Sequence, residues 1–154
     1  MPIVKTQLKE SRAIRHDIEA EKIIAGQFKS NMTIVDIKEI KPTKDAPKDK
    51  SGIIFEYVFR TDYNLEEPKN KKLGNIEIIG QIIFVDDTSK INATLKEWKK
   101  NKKVETELLQ QILNAAFEEA QIEALTQSRK VGLPPAIPLP RVTTTQQQPP
   151  TSVG

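Results

Sequence analysis

The side chains that most often carry catalysis are scarce in this sequence. His16 is its one histidine, and cysteine is absent. A histidine-based triad, a multi-histidine metal site, a thiol nucleophile and cysteine-ligated zinc therefore cannot be assembled within one chain. His16 lies directly before Asp17, and such a charged surrounding is typical of an exposed titratable group.

Paired carboxylates are a second group with catalytic potential, and Asp86-Asp87 and Glu118-Glu119 are examples. The first pair is typical of a strand end and the second of the polar face of a helix. The sequence holds no Gly-rich phosphate loop, no G-x-S-x-G elbow and no H-E-x-x-H motif. We therefore expect a protein that is not an enzyme and that binds no cofactor or metal.

Aromatic side chains alternate along the stretch GIIFEYVFRTDYN and could bind apolar chain segments. The simpler interpretation is that Phe55, Tyr57, Phe59 and Tyr63 form the core face of a strand. The functional interpretation is that some of them line an open groove, because unfolded segments share only hydrophobicity and backbone groups. Tyrosine suits such a groove, since its ring is apolar and its hydroxyl tolerates water.

Lysine-rich stretches at 69–72 and 99–103 raise the possibility of nucleic-acid binding. Phosphate binding needs several converging cations, and Trp98 beside the second stretch could stack on a base. The alternative is that the lysines solvate a loop and a helix end while Trp98 packs inward. The candidate nucleic-acid contacts are Lys99, Lys100, Lys102 and Lys103.

Composition describes the class of protein that must position these side chains. A chain of 154 residues with 37% apolar and 29% charged residues is typical of one soluble globular domain. The formal net charge of +3 is too balanced to indicate a nucleic-acid or membrane partner by itself. The N-terminus is charged throughout, and no run approaches the roughly 18 apolar residues of a membrane span. We expect a cytoplasmic protein.

Three stretches predict the strands of an antiparallel meander: NMTIVDIKEI, GIIFEYVFRTDYN and IEIIGQIIFVDD. In the first, Thr33, Val35 and Ile37 fall on one face and Met32 and Ile34 on the other. The loops between the three strands are rich in Pro, Lys, Asp and Gly.

The third predicted strand is apolar on both faces. Ile76, Ile78, Ile82 and Phe84 share one side with Gly80, which suggests a bulge or a close approach by another backbone. The opposite side is apolar as well, so one of the two sides needs a cover, either a helix or another subunit. The apolar residues of the opposite side are candidate peptide contacts: Ile79, Ile83 and Val85.

Two helices are predicted after the strands. Thr88 or Ser89 is a suitable cap for the first, in which Ile91, Leu95 and Trp98 recur at helical spacing. The second covers roughly 105–129, and its apolar surface is broad enough to be covered on more than one side. Gly132 is a natural residue to end it.

The stretch VGLPPAIPLPRV follows the second helix, and its prolines predict an extended apolar strap. Leu133 and Ile137 in this strap are further candidate peptide contacts.

Residues 5–26 are ambiguous between a helix and an irregular arm with a short edge strand. We therefore divide the chain into an N-terminal element (1–30), an α+β domain (31–142) and a disordered Gln/Thr/Pro tail (143–154).

This order of elements, with the Pro-rich segment after a long helix, resembles the SecB family of export chaperones. The glycine followed by apolar residues in IEIIGQIIFVDD is similar to the family's third strand, and FEYVFRTDYN takes the place of its second. More closely, the run from NIEIIGQIIFVDD through LKEWKK and ILNA to LPPAIPLPRV resembles small archaeal SecB-like proteins. The resemblance covers about residues 31–142. The family's acidic, metal-binding C-terminal tail has no counterpart in TTTQQQPPTSVG.

The resemblance implies an α+β fold with an antiparallel three- to four-stranded sheet and one short and one long helix on one face. It also implies protomers that assemble into oligomers and exposed grooves that bind unfolded polypeptide without nucleotide. We therefore expect a holdase chaperone or adaptor. The alternatives are a ribosome-associated or RNA-binding module that uses the lysine cluster, and a structural protein with one fixed protein partner.

Overall fold

The computed structural model describes residues 3–18, 24–40, 49–69 and 71–134. Four strands come first along the chain and two helices follow. The elements are β1 (Ile3–Arg15), β2 (Ile24–Ile40), β3 (Lys50–Glu67), β4 (Lys72–Asp87), α1 (Thr88–Asn101) and α2 (Thr106–Val131).

All four strands form one antiparallel sheet in the order β1-β4-β3-β2. The predicted meander β2-β3-β4 is confirmed, and β1 adds to it beside β4. The ambiguity over residues 5–26 is resolved for β1, which is a 13-residue edge strand and not a helix. The predicted boundary between residues 30 and 31 falls inside β2.

One face of the sheet is the hydrophobic core. Buried and partly buried residues alternate along β3 from Ile53 to Leu65 and along β4 from Gly74 to Phe84, as the period-2 pattern predicts. Across the two strands, Phe55 lies opposite Ile82 and Phe59 opposite Ile78. These two central strands therefore supply most of the surface on which the helices pack.

The edge strand β2 departs from the predicted alternation because it contains a bulge. Met32 and Ile34 lie opposite Phe59 and Tyr57, and the register then shifts between Ile34 and Asp36 so that Ile37 lies opposite Phe55. The extra residue is Val35, which is 47% exposed. The prediction that Val35 shares the face of Ile37 was wrong, because one inserted residue reverses the side of every later side chain.

Gly80 is explained by a close approach, although the approaching group is a side chain and not a backbone. Gly80 lies opposite Tyr57 on β3, and a Cβ added to it would collide with the Tyr57 ring and hydroxyl. On its other side, β1 shifts register between Leu8 and Glu10. The absence of a side chain at Gly80 therefore leaves the space that the Tyr57 ring occupies.

Both helices pack on the core face. The residues of α2 that are buried there are mostly small, and the set is Ile112, Ala116, Phe117, Ala120, Ala124 and Ser128. Small side chains let the helix axis lie close to the sheet, where α2 contacts mainly β1 and β4. Helix α1 buries Ile91 and Leu95 and contacts β2, β3 and β4.

The predicted cap of α1 was wrong, because β4 runs directly into the helix. Asp87 occupies the N-cap position and makes no side-chain capping bond. Thr88 instead donates its backbone N–H to the Asp49 carbonyl at 2.9 Å, and its hydroxyl lies 3.0 Å from that of Ser51. The residue before β3 thus satisfies one of the backbone N–H groups that have no partner within the helix.

The end of α2 agrees with the prediction. Gly132 has a φ of 75°, and Leu133 donates its N–H to the Ser128 carbonyl at 2.8 Å. Leu133 is buried in the core cluster, so the strap packs inward at this residue. Ile137, the strap from residue 135 onward and the tail at 143–154 lie outside the described residues.

Neither α1 nor α2, the helices of the described part of the chain, is both long and apolar enough to cross a membrane.

Candidate polypeptide-binding surfaces

The aromatic ladder of β3 lies in the core. Phe55, Tyr57 and Tyr63 are 0% exposed and Phe59 is 2% exposed. Phe59 packs against Phe117 of α2 with ring centroids 5.9 Å apart. A bound segment could touch these rings only if it displaced the helices. We therefore assign the ladder to the core and not to a peptide-binding surface. The same assignment applies to Leu133, which is also buried.

Tyr57 connects the ladder to α2. Its hydroxyl donates to the Glu119 carboxylate at 2.8 Å. Burial raises the pKa of the Tyr57 hydroxyl well above its usual range, and the bond to Glu119 raises it further. Beside it, the Ser11 hydroxyl on β1 donates to Glu123 at 2.6 Å. These two bonds fix α2 to the sheet, one at the edge strand β1 and one at the central strand β3, which is a structural role.

The sheet face opposite the helices carries the other candidate residues of β4. Ile79, Ile83 and Val85 are half-buried there, next to Ile54 and Val58 of β3. Among the described elements no helix covers this face. The helices cover the other side of β4, that of Ile76 and Phe84, and cover of this face by another subunit stays a prediction.

Polar side chains cross this helix-free face and divide its apolar residues. Lys9 of β1 lies 3.3 Å from Glu56 of β3, and the Gln7 amide donates to Gln81 at 2.8 Å. Further along, Arg60 lies 3.4 Å from Glu77. The apolar residues thus form separate rows between polar ones, as expected of a sheet face in water, and not a continuous groove.

A continuous apolar groove lies instead on the core side of β2. Its volume is about 580 Å³, and it runs between the edge strand, the end of α1 and the first half of α2. The side chains that line it are mostly apolar. They are Met32, Thr33, Ile34, Trp98, Lys102, Lys103, Val104, Leu109 and Leu113. We call this the β2 groove.

The turn between the helices opens the β2 groove. Helix α1 ends at Asn101, and Lys102 adopts a left-handed conformation with φ 55° while its N–H bonds to the Trp98 carbonyl at 2.9 Å. The chain reverses there, and α2 then runs toward β1 and β4. As a result, neither helix fully covers Met32 and Ile34, which stay half-buried.

Two groove residues of α2 are not part of the core. Met32, Ile34, Trp98 and Val104 pack partly against the core cluster, whereas Leu109 and Leu113 are half-buried without belonging to it. Leu109 and Leu113 are one helical turn apart and so lie on one stripe. A groove that binds polypeptide segments needs apolar side chains that are partly exposed and are not used in the core, and Leu109 and Leu113 meet both conditions.

Sequence reasoning missed this groove, although one signal pointed toward it. The apolar surface of α2 is wider than a single contact requires, and the sequence predicted a cover on more than one side. The pattern could not reveal that part of this surface faces β2 across an open space, because that depends on where α1 ends and how α2 crosses the sheet.

Two of the lysines at the end of α1, Lys102 and Lys103, line the β2 groove, and Lys99 and Lys100 line another hollow. Lys99, Lys100, Lys102 and Lys103 are all exposed, and the Lys102 ammonium lies 5.2 Å from the Trp98 ring centroid. None of the four has an ion-pair partner among the described residues. In the other lysine stretch, Lys72 lies 3.6 Å from Asp62 at the β3–β4 hairpin.

A metal centre is not indicated, since the described residues hold no cluster of three or more His, Asp or Glu side chains that could bind an ion.

The fold as a whole can be compared with known proteins. No protein-family model matches this chain, and no curated protein matches it. Among solved structures, the chain is similar to the SecB-like chaperone Rv1957 of Mycobacterium tuberculosis, solved in complex with a ChAD peptide from the Rv1956 HigA1 antitoxin. The TM-score is 0.50 at 12% identity, over 92% of this chain and 86% of the chaperone chain.

The chain has a SecB-like fold. The sheet of four antiparallel strands with two helices on one face agrees with the architecture that the sequence resemblance implies. At 12% identity the likeness concerns the fold alone. Which surface of this SecB-like chain is functional must therefore be argued from its own residues.

Proposed function

We propose that this SecB-like protein binds extended or unfolded polypeptide segments in the β2 groove, as a holdase chaperone or an adaptor, without nucleotide and without catalysing a reaction. The observation that carries the proposal is an apolar groove directly beside an edge strand. Its side chains are partly exposed, and two of them, Leu109 and Leu113, do not belong to the core cluster. Such a groove matches the needs of unfolded clients, which offer apolar side chains and unpaired backbone groups.

The edge of the sheet supplies the backbone part of this recognition. Among the described strands β2 is paired on one side only, with β3. An extended segment added beside β2 would bond to its free N–H and C=O groups, and its alternate side chains would point to the core side. There they would meet Trp98, Leu109 and Leu113.

The structural neighbour supports this class of function. That protein is a SecB-like chaperone and was solved with a bound peptide. A fold that holds a peptide in one protein is a suitable scaffold for the same task here. The relationship to the archaeal SecB-like group and the cytoplasmic location stay predictions.

Assembly into oligomers belongs to the same proposal. Large apolar side chains are exposed on β1 and on the second half of α2, and they include Val4, Leu8, Ile14, Ile122 and Leu125. A soluble monomer rarely leaves so many of them in water unless they meet a partner. We propose that these residues, which lie away from the β2 groove, contact other copies of the chain.

The test is suppression of aggregation. The chain should keep a chemically unfolded, unrelated protein in solution, and Leu109→Asp should remove most of this activity because it places a charge in the β2 groove. The matched control is Ala93→Asp on α1, at an exposed position outside both the groove and the proposed contacts between copies.

Thermal melts of both variants identify any loss that comes from unfolding. Equal activity in the two variants, when both are folded, would contradict the proposed groove. No suppression by the wild-type chain, together with no binding of any extended peptide, would contradict the proposed function itself.

A further inference from the structure

We infer that the β2 groove selects segments in which acidic residues flank the apolar ones. The inference rests on the proposed function and adds the chemistry of the preferred client. It follows from the charges around the groove, which are all of one sign among the residues that line it: Lys102 and Lys103.

Positive charge continues from the groove along α1. Residues 96–105 carry five lysines and two glutamates, so this short stretch has the same net charge as the whole chain, +3. Lys96, Lys99 and Lys100 line another hollow, together with Glu39 of β2. The rest of the chain is balanced, and the cationic character is therefore concentrated beside the groove.

The nearby carboxylates do not neutralise these lysines. Within the described residues, no ion pair joins Lys96, Lys99, Lys100, Lys102 or Lys103 to an acidic side chain. Glu97 accepts a hydrogen bond from the Asn101 amide at 2.9 Å, and Glu105 is exposed at the start of α2. Elsewhere many lysines are paired, for example Lys50, which lies 2.7 Å from Asp87. The lysines at the groove are thus available to a bound carboxylate.

The other exposed apolar surface of α2 has the opposite charge. Around Ile122 the helix carries Glu118, Glu119 and Glu123. A segment that sought only apolar side chains could use either surface, but an acidic one would be repelled near Ile122 and attracted at the β2 groove. Charge therefore distinguishes two surfaces that hydrophobicity alone does not.

The size of the preference follows from the exposure of the lysines. An exposed ion pair stabilises a complex only slightly. Each pair should raise the affinity by about 1.5- to 5-fold. A segment with two acidic residues within reach should bind about threefold to tenfold more tightly than its neutral counterpart. The preference should shrink as salt screens the charges.

The experiment compares three peptides with one apolar core, flanked by two residues on each side that are Glu, Gln or Lys. Binding to the full chain is measured by fluorescence anisotropy at low and at moderate salt. We expect affinity in the order Glu, Gln, Lys at low salt, with a difference of about tenfold or more between Glu and Lys that narrows at moderate salt.

The variant Lys102→Glu with Lys103→Glu should reverse this order. The matched control is Arg129→Glu with Lys130→Glu, which changes the net charge equally near the end of α2 and should leave the order unchanged. These positions are exposed, so the variants should remain folded.

The outcomes separate the two proposals. If all three peptides bind equally at low salt, or if the control reverses the order as well, the inference is overturned while segment binding stands. If none binds, the proposed function falls and the inference with it.

A single-stranded oligonucleotide is added as a competitor. If it displaces the Glu peptide through Lys102 and Lys103 and binds more tightly, the cluster is a nucleic-acid site and the inference is overturned.

Discussion

The two edges of the sheet are covered differently: α2 lies over β1, whereas both helices contact β2 only lightly. At β1, α2 lies across the edge and is fixed to it by the Ser11–Glu123 bond at 2.6 Å, while a second bond, Tyr57–Glu119 at 2.8 Å, fixes the helix to the central strand β3. At β2, the helices turn at Lys102 and leave Met32 and Ile34 half-buried beside open space.

The difference shows how a small domain can close one side and keep the other available. On the β1 side, alanines of α2 and hydrogen bonds replace long apolar side chains, so the helix sits close to the sheet. On the β2 side, Leu109 and Leu113 are apolar but do not belong to the core cluster. The closed side should therefore carry the stability and the open side the binding, and each prediction below tests one half of this division.

The largest expected effect is that of Gly80→Ala on the closed side. The added methyl group would collide with Tyr57 between two central strands, and we expect a loss of about 3 kcal/mol in the free energy of unfolding. Urea unfolding followed by circular dichroism measures it.

The control for this prediction is Gly52→Ala, where the added group would meet mainly the end of the Ile40 side chain, which can move. It should cost much less. If the two alanine variants are equally stable, the close approach of Tyr57 to β4 does not limit the packing of the closed side.

A smaller effect is expected for Tyr57→Phe, which removes the bond to Glu119. We expect a loss of about 1–2 kcal/mol in the free energy of unfolding, because the carboxylate loses its donor at the sheet. The matched control is Tyr63→Phe. The Tyr63 hydroxyl is buried without a hydrogen-bond partner among the described residues, so its removal should cost nothing or stabilise the fold. Equal losses in the two variants would mean that the bond to Glu119 does not fix α2.

The smallest effect near neutral pH is expected from ionisation of the buried tyrosines, which lowers the stability only in alkali. Burial raises the pKa of both Tyr57 and Tyr63 in the folded protein. Below the usual tyrosine pKa of about 10 their contribution is complete, because folded and unfolded chains are both protonated. Above it the unfolded chain loses these protons first, so the free energy of unfolding falls as pH rises, by up to about 1.4 kcal/mol per unit for each tyrosine.

Urea midpoints between pH 9 and 11 measure this slope. For the double variant Tyr57→Phe with Tyr63→Phe, the free energy of unfolding should fall less steeply with pH than for the wild type. The lysines are the same in both proteins, so the difference between the two curves comes from the tyrosines. An unchanged slope in the double variant would contradict the burial of these hydroxyls as the cause.

Much of the closed side could be predicted from the sequence, because it follows regular periods. The alternation of Phe55, Tyr57 and Phe59, and the end of α2 at Gly132, depend on local patterns that a strand or helix repeats. The pairing of β1 with β4 was not predictable, since a strand with few apolar residues on the edge of a sheet gives a weak period.

The open side could not be predicted, for two physical reasons. The bulge at Val35 adds one residue to β2 and so mixes the two faces that strict alternation separates. The groove itself depends on the crossing of α2 over the sheet after the turn at Lys102, which no local pattern encodes. The prediction of peptide contacts therefore fell on the aromatic ladder, which is the strongest pattern but belongs to the core.

The most direct test of this division is amide hydrogen exchange during binding of an extended apolar peptide. About half of the β2 amides should point to the free edge and exchange quickly in the unbound protein. Our account predicts that saturating peptide slows exchange in β2 near Met32 and Ile34 while leaving that of β1 unchanged. Protection of β1, or binding that leaves β2 unprotected, would contradict it.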